Sequence, residues 1–323
     1  MLIVKYQDEI GFYDKEHDPV SSDSDRMVLI SLLSIQGVVQ MVVLEAYTKR
    51  GIVDVGGGMR DIFGAGILDR CIDAGIHFDY CAGVSAGGAN LANFLANQKE
   101  RAKRFYLDYA FRKEYMSVWN FIRIGSYVNL EYAYGTLSNS TGEDPLDFTT
   151  MQKTASEFCI VAANAQTGET KYFSMTDLSQ DNYGPLKASA CVPVACKPWV
   201  IDGVPYLDGG MADPIPYKKA FDAGCEHVTV VLTRPKDFYR NPEADRRSVK
   251  ILRRSYPKAA ELLEKRAELY NSQLDEIKAL EQEGRISILA PASIEGLGTL
   301  TKDKEKLSNL YAEGYEAAQR LFG

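Results

Sequence analysis

From residue 51 onward, short apolar runs alternate with longer stretches whose apolar positions recur at helical spacing, the pattern of a mostly parallel sheet covered by helices. Residues 51–55 read as a strand, 56–58 as a turn, and 62–74 as a helix stopped by Gly75. A second strand, 78–82, runs into Gly83-Val84-Ser85-Ala86-Gly87-Gly88 and then into a helix of small residues ending near Asn97. Residues 101–120 predict one amphipathic helix that packs Phe105, Tyr109, Phe111, Tyr115 and Trp119 into the core. Residues 157–163 and 171–174 predict a hairpin turning at Gly168. Residues 199–201 and 204–207 predict another, because Asp202-Gly203 suits the positive φ of a two-residue turn. The β-branched run 227–232 is a buried strand, 257–284 a long charged helix, 286–290 one more strand and 302–322 a final amphipathic helix.

The expected fold is a three-layer α/β/α domain over 51–238, followed by a helical region over 239–323 that returns one strand to the sheet. Residues 1–50 form a leader without an assigned role. Within it, 27–44 carries no charge over 18 residues, near the short limit of ~17 to 25 for a membrane span. Ser31, Ser34, Gln36, Gly37 and Gln40 weaken it as a lipid-facing helix, so a buried or poorly structured leader is expected, with a membrane-associated helix as the alternative. Were it to span, Lys49 and Arg50 would mark the cytoplasmic end. Met41 offers an alternative start.

With 323 residues, 46% of them hydrophobic and 25% charged, the chain has the composition of a soluble globular protein. A formal charge of -7 argues against a nucleic-acid partner, which needs an excess of Lys and Arg. The acidic N-terminus lacks a signal peptide's basic region and apolar run, which points to the cytoplasm. None of the six cysteines forms a C-x-x-C pair, so free thiols are expected and no metal. Only three histidines are present, few for a chain that would do hydrolytic chemistry by the commonest route.

Two turns carry candidate chemistry. Gly83-Val84-Ser85-Ala86-Gly87 has the form of a nucleophile elbow, a serine on a strained strand-to-helix turn with glycines where side chains would collide. Gly56-Gly57-Gly58-Met59-Arg60, also between strand and helix, lets several backbone N–H groups converge on one oxyanion. A dinucleotide-binding reading of the same turn needs glycine at 61, where Asp61 stands. A base for Ser85 is harder to find. His227 is the only histidine after the elbow, but it opens its strand, whereas sites in parallel sheets form at carboxyl ends. Asp208 closes a strand and is followed by Gly209 and Gly210. Its alternative role is to satisfy turn amides.

The turn GGGMR, the elbow GVSAG 27 residues later and the DGG after a hairpin, in that order, resemble the patatin-like phospholipases. The resemblance runs from about residue 51 to the C-terminus, and a segment at 265–273 is similar to the NRHxxYNxQ pattern of the bacterial subgroup. It implies a Ser-Asp dyad without histidine, Ser85 as nucleophile and Asp208 as base. It also implies an oxyanion hole from the amides of Gly56, Gly57 and Gly58, with Met59 and Arg60 in the same motif. Gly83, Gly87, Gly209 and Gly210 are the other motif positions. Such a dyad needs no cofactor, and the implied partner is an acyl-ester or phospholipid substrate, met through peripheral membrane contact. The alternatives are an acyl-lipid-binding relative with little turnover and a nucleotide-binding α/β protein. Two departures stand out: Asp61 replaces the last glycine of the family's GGGxRG, and the first 45 or so residues have no counterpart.

Overall fold

The computed structural model describes residues 28–35, 38–45 and 48–323. Histidine 17 and the acidic stretch 1–27 lie outside the described residues. The chain divides into two compact units, 1–49 and 50–323.

In the first unit, Val28–Ile35 (β1) and Val38–Glu45 (β2) pair antiparallel, Ile35 opposite Val38. The uncharged segment is therefore a pair of strands and not a helix that spans a membrane. Its β-branched content, Val28, Ile30, Ile35, Val38, Val39, Val42 and Val43, favours the extended backbone. Among the described residues no helix is long and apolar enough to cross a membrane.

The second unit is built on an eight-stranded sheet. Its strands are Arg50–Asp54 (β3), Tyr80–Val84 (β4), Glu157–Asn164 (β5), Thr170–Ser174 (β6), Trp199–Ile201 (β7), Val204–Asp208 (β8), His227–Val231 (β9) and Ile286–Leu289 (β10). The order is β10-β9-β3-β4-β5-β8-β7, with β6 also paired to β5. Every pair from β10 to β5 is parallel, while β6, β7 and β8 join antiparallel. The second hairpin turns as expected, with φ of 50° at Asp202 and 79° at Gly203. All six cysteines are buried thiols.

The parallel strands are apolar on both faces, which a sheet covered on both sides requires. Ile52, Cys81 and Ile160 look one way, toward helices Ile62–Asp73 (α1), Ala86–Leu95 (α2) and Lys304–Phe322. Val53, Ala82, Val84 and Val161 look the other way, toward Tyr217–Asp222 and Pro257–Gln282. The three-layer α/β/α architecture follows from that alternation.

Residues 101–120 depart from expectation. The helix ends at Leu107, Asp108 leaves helical geometry at φ -125° and ψ -62°, and a new helix, Val118–Ile124, starts where the Ser117 hydroxyl accepts the Asn120 N–H at 3.2 Å. That restart resets the apolar stripe. Phe105 and Tyr115 still pack edge-on at 5.0 Å, but Trp119 points outward, 67% exposed.

The final helix crosses α1 at backbone contact. A Cβ on Gly66 would stand 2.1 Å from the Tyr311 carbonyl oxygen, and one on Gly314 would stand 2.1 Å from that of Phe63. Two hydroxyls fix the crossing, Tyr311 donating to Asp69 at 2.8 Å and Tyr315 to Asp73 at 2.7 Å. Gly314→Ala should therefore lower stability by ~1–3 kcal/mol through overpacking, against the ~1 kcal/mol that alanine gains over glycine in a helix. Urea denaturation checks this, and an unchanged midpoint would show that the two helices can part.

Candidate active site

The strand register brings the candidate residues level. Val84 pairs with Val161, so Ser85, next in line, is level with Ala162, and Ala162 pairs with Asp208. On the other side Asp54 pairs with Gly83 and with Val231, which carries the Gly56 turn and Thr233 to the same height. Four chain segments thus leave the sheet along one row. His227 pairs with Arg50 at the opposite end of β9 and contacts the Ser287 hydroxyl at 3.2 Å, so it stays away from Ser85.

Ser85 has φ 57° and ψ -125°, a conformation that costs a non-glycine residue on the order of 1–3 kcal/mol. The turn is held by its own N–H, which donates to the Ser189 hydroxyl at 2.8 Å, and by close backbone packing. A Cβ on Gly83 would lie 2.5 Å from Gly88 Cα, and one on Gly87 2.3 Å from the Asp54 carbonyl oxygen. Helix α2 begins at Ala86, so its N-terminal amides and dipole face the serine.

Gly56, Gly57 and Gly58 have φ of 66°, 154° and 61°, a run closed to residues with a Cβ. The Thr233 hydroxyl donates to the Gly56 carbonyl at 2.5 Å and the Met59 N–H to the Thr299 carbonyl at 2.8 Å, which pins both ends of the turn. The Gly56 N–H is taken, donating to Asp54 Oδ1 at 3.1 Å. Gly57, Gly58 and, at the start of α2, Ala86 line the cavities at the serine. Ala86 follows the elbow serine, a position at which an oxyanion donor recurs.

Asp61 neither strains the turn nor faces the site. Its φ is -76°, so the glycine usual there is not needed for conformation. The side chain is fully buried against Asp54, between Gly64 and Asn90. Neither Asp61 oxygen meets a hydrogen-bond donor. Burial, then the Asp54 charge, push Asp61 well above the usual carboxylate range, which weakens its charge beneath the turn.

Asp208 ends β8 with its Oδ1 accepting the Gly210 N–H at 2.8 Å, and Gly209 packs against the Val161 backbone. Burial raises its carboxyl above the ordinary range. The neighbouring Ser85 side chain, the hydrogen bond from the Gly210 amide and the more remote charges of Arg266 and Arg240 offset part of the rise. A carboxylate so desolvated has more proton affinity than one in water.

Two cavities meet at Ser85. One, about 760 Å³ with its open mouth, is mainly apolar and walled by Phe105, Tyr115, Met116, Val128, Tyr134 and Leu300. The other, about 900 Å³ with its mouth, takes in the glycine turn, Asp208 and the arginines 60, 234, 240 and 266. Sequence reasoning found Arg60 and, within the segment 265–273, Arg266, but missed Arg234 and Arg240. Arg234 had a signal, since it directly follows the residues closing β9 at the carboxyl edge; Arg240 lies in a loop and had none.

The Asp54–Asp61 pair has a measurable consequence. Because burial and the Asp54 charge raise folded Asp61 above its unfolded value of about 4, the unfolded state gains on the folded one as pH rises past that value. Asp61→Asn, which does not ionise, removes that loss. Its stability relative to the wild type should climb from pH 4 to 8 in denaturation midpoints, and a constant difference would mean that Asp61 ionises in the folded protein.

The family model described as patatin-like phospholipase matches residues 55–221, and a domain of unknown function, DUF6363, matches residues 256–322. Among curated proteins, "Uncharacterized protein YjjU" of Escherichia coli (strain K12) is 30% identical over 197 residues, 59% of this chain and 54% of the other. The chain thus spans about half the length of that curated relative. Among solved structures, VipD from Legionella pneumophila aligns over 94% of this chain and 71% of its own, at 13% identity and a TM-score of 0.46. With the match covering residues 55–221, the elbow, glycine turn and Asp208 all fall inside it, and the chain belongs to the patatin-like phospholipase family.

Proposed function

We propose that the protein is a serine acyl-ester hydrolase working through a Ser85–Asp208 dyad. The observation that carries this reading is the meeting of a strained serine and a buried, hydrogen-bonded carboxylate on one row of the sheet, where two cavities join. Asp208 accepts the hydroxyl proton as Ser85 attacks the ester carbonyl, while the amides of Gly57, Gly58 and Ala86 hold the oxyanion. The protonated Asp208 then gives its proton to the leaving alcohol. A water, deprotonated by the same carboxylate, attacks the acyl-enzyme and releases the acid. No step uses histidine. The alternative of a binding relative without turnover rests on Asp61, and the burial of that carboxyl away from the cavities favours the enzyme.

Ser85→Ala and Asp208→Asn should each cut hydrolysis of short p-nitrophenyl esters by about 10³-fold or more, and Ser85→Ala should abolish labelling by a fluorophosphonate. His227→Ala should stay near wild type. A well-folded protein that turns over no ester ends this reading, and a severe loss in His227→Ala moves the base elsewhere. Because Asp208 must be ionised to act and burial raises its carboxyl, the acidic limb of the kcat/KM profile should fall above the ordinary carboxylate range.

The helix Val118–Ile124 supports access from a lipid surface. Val118, Trp119, Phe121, Ile122 and Ile124 are all exposed, and the helix springs from wall residues of the apolar cavity, Tyr115 and Met116 before it and Val128 after it. With a net charge of -7, attraction to bilayers rests on such apolar contact rather than on charge. Replacing Trp119 and Ile122 together by Ser should weaken binding to zwitterionic vesicles by about tenfold or more. It should also lower turnover of vesicular substrate relative to monomeric ester. Sedimentation with vesicles measures the first, and unchanged partitioning would exclude this helix as the contact.

A further inference from the structure

The segment at 265–273, KRAELYNSQ, has no part in the dyad, yet it shapes the second cavity. It lies on the helix Pro257–Gln282. Arg266 is held by Asp245 through contacts of 2.6 and 3.0 Å, which spends that carboxylate. Tyr270 presents its ring to the Arg240 guanidinium at 4.6 Å, and Asn271 brackets the Arg240 backbone, accepting its N–H at 2.8 Å and donating to its carbonyl at 3.1 Å. One helix face therefore frames Arg240 over the cavity. Arg234 stacks on Phe238 at 4.1 Å, and Arg60, 4% exposed, touches the Thr299 hydroxyl at 3.3 Å.

Among the described residues none of Arg60, Arg234 and Arg240 has a carboxylate partner for its side chain, and the Nε of each is buried without an acceptor. Burial first, and then a neighbouring guanidinium in each case, bring all three down to about 10, still cationic at neutral pH. Arg60 is buried and Arg234 and Arg240 half-buried, and three such cations facing one another without a carboxylate partner destabilise the empty protein. Their shared need is an anion with several acceptor oxygens, which the planar fork of arginine fits in pairs.

We propose that Arg60, Arg234 and Arg240 form a subsite for a phosphomonoester on the alcohol side of the acyl ester, the acyl chain lying in the apolar cavity across Ser85. This rests on the hydrolase reading for its place in the reaction, but the binding does not. Three cations against one carboxylate, Asp208, suit a dianion. They disfavour a zwitterionic headgroup, since the faces of Tyr270 and Phe238 that could meet a quaternary ammonium are already covered by Arg240 and Arg234.

Two measurements on the full chain test it. In the first, kcat/KM for a short-chain 1-acylglycerol 3-phosphate is compared with that for the matching neutral 1-acylglycerol and for the choline ester. The phosphomonoester should lead by about tenfold or more, and Arg234→Met and Arg240→Met should shrink that ratio while Arg240→Lys keeps part of it. In the second, Ser85→Ala is titrated with glycerol 3-phosphate and with inorganic phosphate. Glycerol 3-phosphate should bind and raise Tm, and the two methionine substitutions should abolish that shift while raising the Tm of the unliganded protein, because each relieves repulsion. A structural role alone would lower it. Equal kcat/KM for the three esters, inorganic phosphate binding with no binding of glycerol 3-phosphate, or a phosphate shift that survives both substitutions overturns the proposal. If no ester is hydrolysed but glycerol 3-phosphate binds through the arginines, the subsite stands and the hydrolase reading falls.

Discussion

The candidate site depends on the level of one sheet row. Parallel pairing from β9 through β3 and β4 to β5 brings Thr233, the Gly56 turn, Ser85 and Ala162 to the same height. Antiparallel pairing of β8 then returns Asp208 to that height from the other direction. A slip of one residue in any of these pairs would turn the side chain concerned to the opposite face. The burial of alternate residues on both faces is what forbids the slip, so the core that stabilises the sheet also sets the relative heights of Ser85 and Asp208, the proposed dyad. The strain at Ser85 is tolerable for the same reason, because glycines 83 and 87 lock the elbow against backbone that the register has already fixed.

Much of this was legible in the sequence because local chemistry and long-range pairing agree. The Asp202-Gly203 turn, the β-branched strand at 227 and the elbow between strand and helix each demand one local conformation, and the sheet uses all three. The strand ends put His227 aside in favour of Asp208, and the register sets Asp208 level with Ala162 and His227 at the opposite end of β9. Where local and tertiary signals part, the reading failed. Residues 101–120 carry a helical stripe, but Ser117 is a better N-cap than a helix interior residue, and the chain restarts there with Trp119 facing out. In the uncharged segment at 27–44, lack of charge outweighed β-branching in the reading, whereas the backbone follows the β-branching.

Asp61 shows a different limit. From sequence it is a charge where glycine is usual, and charge near an oxyanion is a liability. Its meaning depends on Asp54, seven residues earlier and on a different element, and no periodicity links the two. Both are fully buried, where loss of solvent raises each carboxyl, and Asp54 accepts the Gly56 N–H. The residue in place of the family's glycine is thus a second carboxyl buried near Asp54, beneath a turn whose glycines line the cavity.

The distribution of charge gives the strongest constraint on what the second cavity is for. A chain with seven more acidic than basic residues has carboxylates to spare for pairing its arginines, and elsewhere it does so: Arg104 with Asp144, Arg112 with Glu143, Arg253 with Glu264 and Arg266 with Asp245. Among the described residues Arg60, Arg234 and Arg240 have no carboxylate partner although Arg60 is buried and the other two half-buried, and they come from three separate parts of the chain. The same space could have been filled more cheaply with apolar side chains of the same volume. Each is set on an aromatic ring or a threonine instead of a carboxylate, a tension that the proposed anion would relieve. Since the apolar cavity and the arginine-lined one share Ser85, the proposed substrate is an amphiphile with one charged end, which would use both spaces where a neutral ester or a free fatty acid would not.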